Sequence, residues 1–354
     1  MARDIRPRAI LTGQHSNLRI AEYGMPDLPV IALECPGRPD PHVHAGQVAR
    51  AIAPVLDGSE LVVVQGDTSS ALGGALGAQL AAVPVAHVEA GLRSHDRLNP
   101  WPEEDFRVAI DAASDLLFAP TRLSASNLQR EKVGGLVRVT GNTGIDALLD
   151  RIPMLRSPFE RGAKRRLLVT CHRRESWGDG LEAIASCLRS IARRPDVWIS
   201  LVLHPNPCVA DAMRELLDGI PNIELSEPCA HIEIRERMRD SDLILSDSGG
   251  MQEEAPALGI PLLILRDRTE RPQAIASGNM LLVGRDPEFI GSTVARLLDD
   301  PAALRAMRRP SFPYGDGRAS QRIADEILSW LRRGVRPAEP RSPSLRSTTA
   351  PAAQ

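Results

Sequence analysis

The chain has 354 residues, 25% of them charged, with a formal net charge of −2 at pH 7. That length accommodates two domains of ordinary size, and the balanced charge with few aromatics excludes the basic, aromatic-studded face of a nucleic-acid binder. Its five cysteines are odd in number and scattered, with no Cys-x-x-Cys pair, which argues against a disulfide framework or a zinc site and fits a reducing cytoplasm.

In chain order, Leu61–Val64 is a short apolar run ended by Gly66-Asp67, Val83–Val88 is ended by Glu89-Ala90-Gly91, and Leu116–Ala119 by Pro120-Thr121. Runs of this length and β-branching, separated by helix-length segments, read as buried parallel strands in βα units. Leu167–Val169, Trp198–Leu203, Leu243–Leu245 and Leu262–Leu265 repeat the pattern. Between the two halves, a proline-containing charged segment without periodicity reads as a linker. Ser320–Leu331 carries Ile323, Ile327, Leu328 and Leu331 at helical spacing. The expected fold class is therefore α/β, with two Rossmann-like doubly wound domains facing a cleft. The expected divisions are an N-terminal α/β domain over 1–152, a linker over 153–165, and a C-terminal α/β domain over 166–312. A helix within 313–335 is expected to pack back towards the N-terminal domain, followed by a disordered tail over 336–354. No signal peptide is visible, and no apolar run reaches the roughly 18 residues of a membrane span. The expectation is a soluble cytoplasmic protein without a membrane partner.

Doubly wound domains bind ligands at the carboxyl ends of their strands, and the polar motifs fall there. Gly66-Asp67-Thr68-Ser69 and His87-Val-Glu89-Ala-Gly-Leu-Arg93 each place a carboxylate just beyond a strand, and Pro100-Trp-Pro-Glu103-Glu104 adds acids in a loop stiffened by two prolines. Three carboxylates so placed suit acid–base chemistry on a sugar, where one takes a proton and another donates one. Helix capping is the plain alternative for Asp67, and the start of the next helix is the alternative for Glu103 and Glu104.

In the second half, Asp247-Ser248-Gly249-Gly250 after a strand and before a helix offers free backbone N–H groups and a close approach for phosphate, or a plain βα turn with a serine cap. Arg266-Asp-Arg-Thr-Glu-Arg271 crowds three arginines at the next strand end, which an anion would relieve. Cys171-His172-Arg173-Arg174-Glu175-Ser176 puts a histidine and two arginines where phosphate oxygens or a leaving group could meet them; a self-paired surface loop is the alternative.

Taken in order, these segments resemble the non-hydrolysing UDP-N-acetylglucosamine 2-epimerases. Val64-Gln-Gly-Asp-Thr-Ser, His87-Val-Glu-Ala-Gly-Leu-Arg, Pro100-Trp-Pro-Glu-Glu and Val139-Thr-Gly-Asn-Thr carry the likeness in the first domain. His172-Arg-Arg-Glu-Ser, Asp247-Ser-Gly-Gly, Gln252-Glu-Glu, Thr269-Glu-Arg-Pro and Pro313-Tyr-Gly-Asp-Gly carry it in the second. The resemblance implies a GT-B-like fold and reversible interconversion of UDP-GlcNAc and UDP-ManNAc with no cofactor and no metal. The implied route is elimination of UDP to 2-acetamidoglucal followed by re-addition. It places Asp67, Glu89, Glu103 and His172 on catalytic positions, and Ser248, Gly249, Gly250, Glu254 and Arg271 on nucleotide-binding ones. Arg93 and Arg173 are candidates for further contacts to the UDP-sugar. Gln14 and His204 match positions of a regulatory substrate site, and a homodimer is implied.

The chain also departs from the family. The family opens with a strand and a Gly-Thr-Arg-Pro-Glu turn, which occurs nowhere here, so the chain begins at about the second strand, Ala9–Thr12. Loss of a central strand is expected to expose unpaired sheet edges and to remove two cationic groups; the expected reason is a natural start upstream of Met1. Cys171 stands in place of a usual glycine, Gln273 of a usual glutamate, and Ile234 of an aromatic against the uracil. The competing readings are an epimerase acting on a related UDP-diacetamido sugar, a hydrolysing epimerase, a glycosyltransferase, and a catalytically impaired UDP-sugar-binding homologue.

Overall fold

The computed structural model describes residues 5–15, 18, 20, 24–98, 101–151, 164–171 and 179–334. The N-terminal half comprises β1 (Ala9–Leu11), β2 (Val30–Ala32), α1 (Pro41–Ile52), β3 (Val62–Gln65), α2 (Ser69–Leu80), β4 (Val85–Val88), α3 (Glu103–Ala113), β5 (Leu116–Ala119), α4 (Arg122–Glu131), β6 (Leu136–Val139) and α5 (Thr143–Arg151). The C-terminal half comprises β7 (Arg165–Thr170), α6 (Asp179–Ala192), β8 (Val197–Val202), α7 (Pro207–Leu217), β9 (Ile223–Ser226), α8 (His231–Arg239), β10 (Leu243–Ser246), α9 (Gly249–Ala257), β11 (Leu262–Ile264), α10 (Pro272–Ala276), β12 (Met280–Leu282), α11 (Pro287–Asp299) and α12 (Pro301–Met307), and α13 (Ala319–Arg332) ends it.

The second half forms one six-stranded parallel sheet in the order β12-β11-β10-β7-β8-β9. This is the doubly wound arrangement, with its topological switch between β7 and β10. Alternation along the strands assigns the two cores. Leu167 and Val169 of β7, with Leu243 and Leu245 of β10, face α6, α7 and α11. Leu168 and Ile244 face the opposite way, towards Met238 of α8 and Met251 and Ala255 of α9. Burial on both faces explains why these strands read as unbroken apolar runs.

In the first half, β3, β4, β5 and β6 pair in that order, all parallel. β1 and β2 form a separate parallel pair. The two sheets share an apolar core in which Ile10 and Leu33 pack with residues of α1, α2 and β3, and Thr12 Oγ1 lies 2.8 Å from Ser70 Oγ. Among the described residues no strand pairs with the outer edge of β3, where Val63 is 52% exposed, whereas β4 is buried throughout. α1 and α2 approach each other over small residues: a Cβ at Gly77 would lie 2.1 Å from Ile52 Cγ2, so only glycine permits this contact.

The connection over 152–163 lies outside the described residues, as does 335–354. The expected linker ends one residue late, because Arg165 already belongs to β7 and donates its N–H to Asp196. Ile323, Ile327 and Trp330 of α13 pack onto Ala86, Val88, Leu116 and Phe118 of the N-terminal sheet. Asp146 accepts the backbone N–H groups of Ala319 and Ser320 at 2.9 and 2.6 Å, capping α13 from α5. No described helix is long and apolar enough to cross a membrane.

Candidate active site

The carboxyl ends of the strands in both halves converge on a cluster of buried ions. Asp67 follows β3 after Gly66, whose φ of +69° turns the chain out of the strand. The cap of α2 is Thr68, whose side chain accepts Ala71 N–H at 3.1 Å. Asp67 is thus released from capping, and its Oδ2 meets Arg107 Nη2 at 2.5 Å. Glu89 follows β4 in a left-handed conformation, φ +73°, which redirects its side chain from the strand into the cleft. Burial pushes the Glu89 carboxyl up from its ordinary range; the Arg271 guanidinium opposes that rise and the nearby Asp67 carboxylate adds to it.

Glu103 opens α3 directly after the cis Trp101–Pro102 bond. It is part-buried, one turn before Arg107. Its neighbour Glu104 is engaged elsewhere: it accepts the backbone N–H groups of Ser94 and His95 at 2.9 to 3.1 Å and pairs with Arg107 at 3.1 Å. Helix geometry therefore separates two adjacent acids into one that holds the loop and one left at the helix mouth.

Arg271 comes from the other half of the molecule. Its Nη2 reaches Glu89 Oε1 at 2.9 Å, its Nε reaches Glu253 at 2.6 Å, and its Nη1 donates to Glu270. One guanidinium thus faces three carboxylates, and burial raises the Glu253 carboxyl to about 7, with Arg271 opposing the rise. Glu253 also accepts from Asn142 Nδ2, a second bond across the two halves. Arg266 pairs with Glu270 at 3.0 Å and the exposed Arg268 with Asp96 at 3.3 Å. The three crowded arginines are therefore balanced by the chain's own acids, which corrects the expectation that an anion must relieve them.

The turn Ser248-Gly249-Gly250 leads into α9, and Ser248 makes no side-chain cap bond. Its hydroxyl and the first backbone N–H groups of α9 stand together at the positive end of the helix dipole, as an anion site requires. On the same helix Glu254 is buried and lies 3.0 Å from His231 Nε2 and 3.5 Å from Arg235 Nη2. The turn sits beside the topological switch, where Thr170 Oγ1 and Ser246 Oγ are 2.7 Å apart. Cys171 is buried there, and burial holds its thiol well above the usual range, so it acts as packing rather than as a nucleophile.

The remaining sequence candidates divide. His172 and Arg173 lie outside the described residues. Gln14, beyond β1, accepts Ser70 Oγ–H at 2.6 Å and so sits beside the start of α2; His204, beyond β8, accepts Asn206 N–H at 2.9 Å. Arg93 turns into the N-terminal domain: its side chain is 1% exposed and donates to Asp111, Glu131 and the Leu92 carbonyl. All of its nitrogens are engaged there, which corrects its expected place against a UDP-sugar. Ile234 packs at the rim of the core between α8 and the sheet. Arg107 was not singled out in the sequence, although it joins Asp67 to Glu104. Its only signal was a basic residue one turn after three acids in an otherwise amphipathic helix.

The sequence profile of the UDP-N-acetylglucosamine 2-epimerase family matches residues 1–328. The UDP-N-acetylglucosamine 2-epimerase of Yersinia pestis is 44% identical over 293 residues, 78% of each chain. That of Escherichia coli K12 is 43% identical over 282 residues, 76% of this chain and 75% of its own. The crystal structure of the Neisseria meningitidis UDP-GlcNAc 2-epimerase bound to UDP-GlcNAc superposes with a TM-score of 0.85 at 34% identity, covering 93% of both chains. The Methanocaldococcus jannaschii enzyme, in complex with UDP-GlcNAc and UDP, gives 0.76 at 32% identity over 91% of each.

Proposed function

This chain belongs to the UDP-N-acetylglucosamine 2-epimerase family, and from that premise we propose that it interconverts UDP-GlcNAc and UDP-ManNAc without hydrolysis. The observation that carries the proposal is the meeting of Glu89 from one half with Arg271 from the other, with Asp67 held on Arg107 and α9 tied to Arg271 through Glu253. The C2 hydrogen of the sugar is not acidic, because no ring carbonyl stands beside it. Elimination solves this problem: a carboxylate takes the C2 proton as UDP leaves C1, giving 2-acetamidoglucal. Protonation of the opposite face of C2, with return of UDP to C1, yields the epimer. Asp67, Glu89 and Glu103 are the acids of this scheme. Ser248, Gly249 and Gly250 receive the diphosphate, Glu254 the ribose, and Arg271 the charge that develops on departing UDP. His172 and Arg173 join the same site in this reading. Gln14 and His204 form part of a regulatory substrate site. The protein works as a cytoplasmic homodimer with no resident cofactor or metal.

The test is proton NMR with UDP-GlcNAc in D2O. Deuterium at C2 with both epimers and UDP retained on the sugar is the expected result. Free ManNAc with stoichiometric UDP would replace this reading with hydrolysis, and no exchange would sink it.

A further inference from the structure

His87 is fully buried on β4, level with Val64 of β3, and takes no part in the chemistry above. Its Nε2 lies 2.9 Å from the Gly66 carbonyl oxygen and its Nδ1 2.6 Å from Asp111 Oδ1. A carbonyl oxygen only accepts, so Nε2 carries a proton. The other oxygen of Asp111 accepts from Arg93 Nη2 at 2.7 Å and from Gly91 N–H at 3.1 Å. Two donors, one of them a buried guanidinium, occupy that oxygen, which leaves Oδ1 as the acceptor for Nδ1, so Nδ1 donates as well. Both ring nitrogens are donors, which only an imidazolium satisfies. Arg93 is shared between the buried Asp111 and the exposed Glu131, so Asp111 does not have that cation to itself.

We propose that His87 is a charged positioning residue, an imidazolium that fixes the strand ends carrying Asp67 and Glu89 and favours the ionised form of Glu89. Through Gly66 it holds the residue before Asp67. Through Asp111 it holds α3, which opens with Glu103 and carries Arg107. Along its own strand it precedes Glu89 by two residues, and its charge opposes the desolvation that raises the Glu89 carboxyl. The groups that face it are Asp111 on α3, Arg93 and Glu89 beyond β4, Asp67 beyond β3 and, through Arg93, Glu131 on α4. The role rests on the reading of Asp67 and Glu89 as reacting acids; the charge state does not.

Two measurements on the full chain test the two parts separately. With histidine-selective ¹⁵N labelling, one histidine absent from the His87→Gln spectrum is expected to show both ring nitrogens protonated in neutral buffer. A single unprotonated nitrogen there would overturn the charge assignment whatever the activity. If His87→Gln does not fold, Asp111→Asn serves instead: removal of the counter-ion should convert that one signal to a neutral ring. In kinetics, His87→Gln should lower kcat about tenfold or more with KM changed less than about twofold, and move the acid limb of kcat/KM to higher pH. A rate loss with an unmoved acid limb would leave only a structural role and overturn the proposal. A wild-type chain that exchanges no C2 hydrogen would refute the epimerase reading and leave the imidazolium standing.

Discussion

Arg271 and Glu89 lie on opposite halves of the molecule, 182 residues apart in sequence, and meet at 2.9 Å. The contact joins the group that would stabilise departing UDP to an acid that would act at C2. Because Arg271 also faces Glu253 and Glu270, its charge is divided, and a diphosphate bound at α9, as proposed, would compete with Glu89 for the same donor. The cleft thus holds its cation already paired with three acids.

Replacing Arg271 separates these roles. Arg271→Lys keeps the charge but loses the planar fork, so kcat/KM should fall by about 10²–10³-fold. Arg271 is also the group that opposes the raised pKa of Glu89. Arg271→Met should therefore move the acid limb of the pH–rate profile further up, and a limb left in place would show that Glu89 is not the ionising group.

Asp67 and Arg107 offer a contrast between chemistry and stability. Asp67→Asn preserves shape and can still accept from Arg107, so the denaturation midpoint should change little while turnover falls by about 10²–10⁴-fold. Arg107→Ala leaves Asp67, Glu104 and Glu270 without their shared cation, and breaking a buried ion cluster in this way costs about 3–5 kcal/mol. Urea unfolding of the two variants checks both, and equal midpoints would contradict the assignment.

Much of this cleft was legible in the sequence because the polar motifs follow apolar runs, and strand ends are where doubly wound sheets present side chains. The strands that escaped reading are β6, β9 and β12, with β2. Three of these close a sheet: β9 alternates Ile-Glu-Leu-Ser, β6 carries Arg138, and β12 spans only three residues. A strand with one open face lacks the continuous apolar run that marked the central strands. Ion pairing was the other blind spot. Arg93 and Arg107 have the same composition signal, yet one is locked inside the domain and the other borders the site. Only the tertiary placement of Asp111, Glu131, Asp67 and Glu104 decides between them.

Glu253 predicts a pH dependence of stability. Its carboxyl is raised by burial to about 7 from an ordinary 4.5, and Glu89 is raised in the same direction. A raised acid gives the folded state more bound protons than the unfolded state between those values. Its stabilising contribution is therefore full below about 4.5 and lost as pH rises through about 7. The melting temperature of the ligand-free protein should fall across that window, and Glu253→Gln should flatten the fall. An unchanged slope in the variant would mean that Glu253 is ionised throughout.

The position of Ser248 and its bonding point to different outcomes. As the residue before α9 it occupies the cap site, where removal of a serine side chain ordinarily costs about 0.5–2 kcal/mol. Here the hydroxyl makes no cap bond, so Ser248→Ala should leave the melting temperature within error of wild type. The same hydroxyl lies within 4.0 Å of where a Cβ on Gly250 would stand, close to the turn at which the diphosphate is proposed to bind. Loss of one hydrogen bond to a charged group is worth about 1.5–3 kcal/mol, which is about tenfold or more in UDP affinity by calorimetry. A variant that melts lower and binds UDP normally would make Ser248 a cap and move the diphosphate site away from this turn.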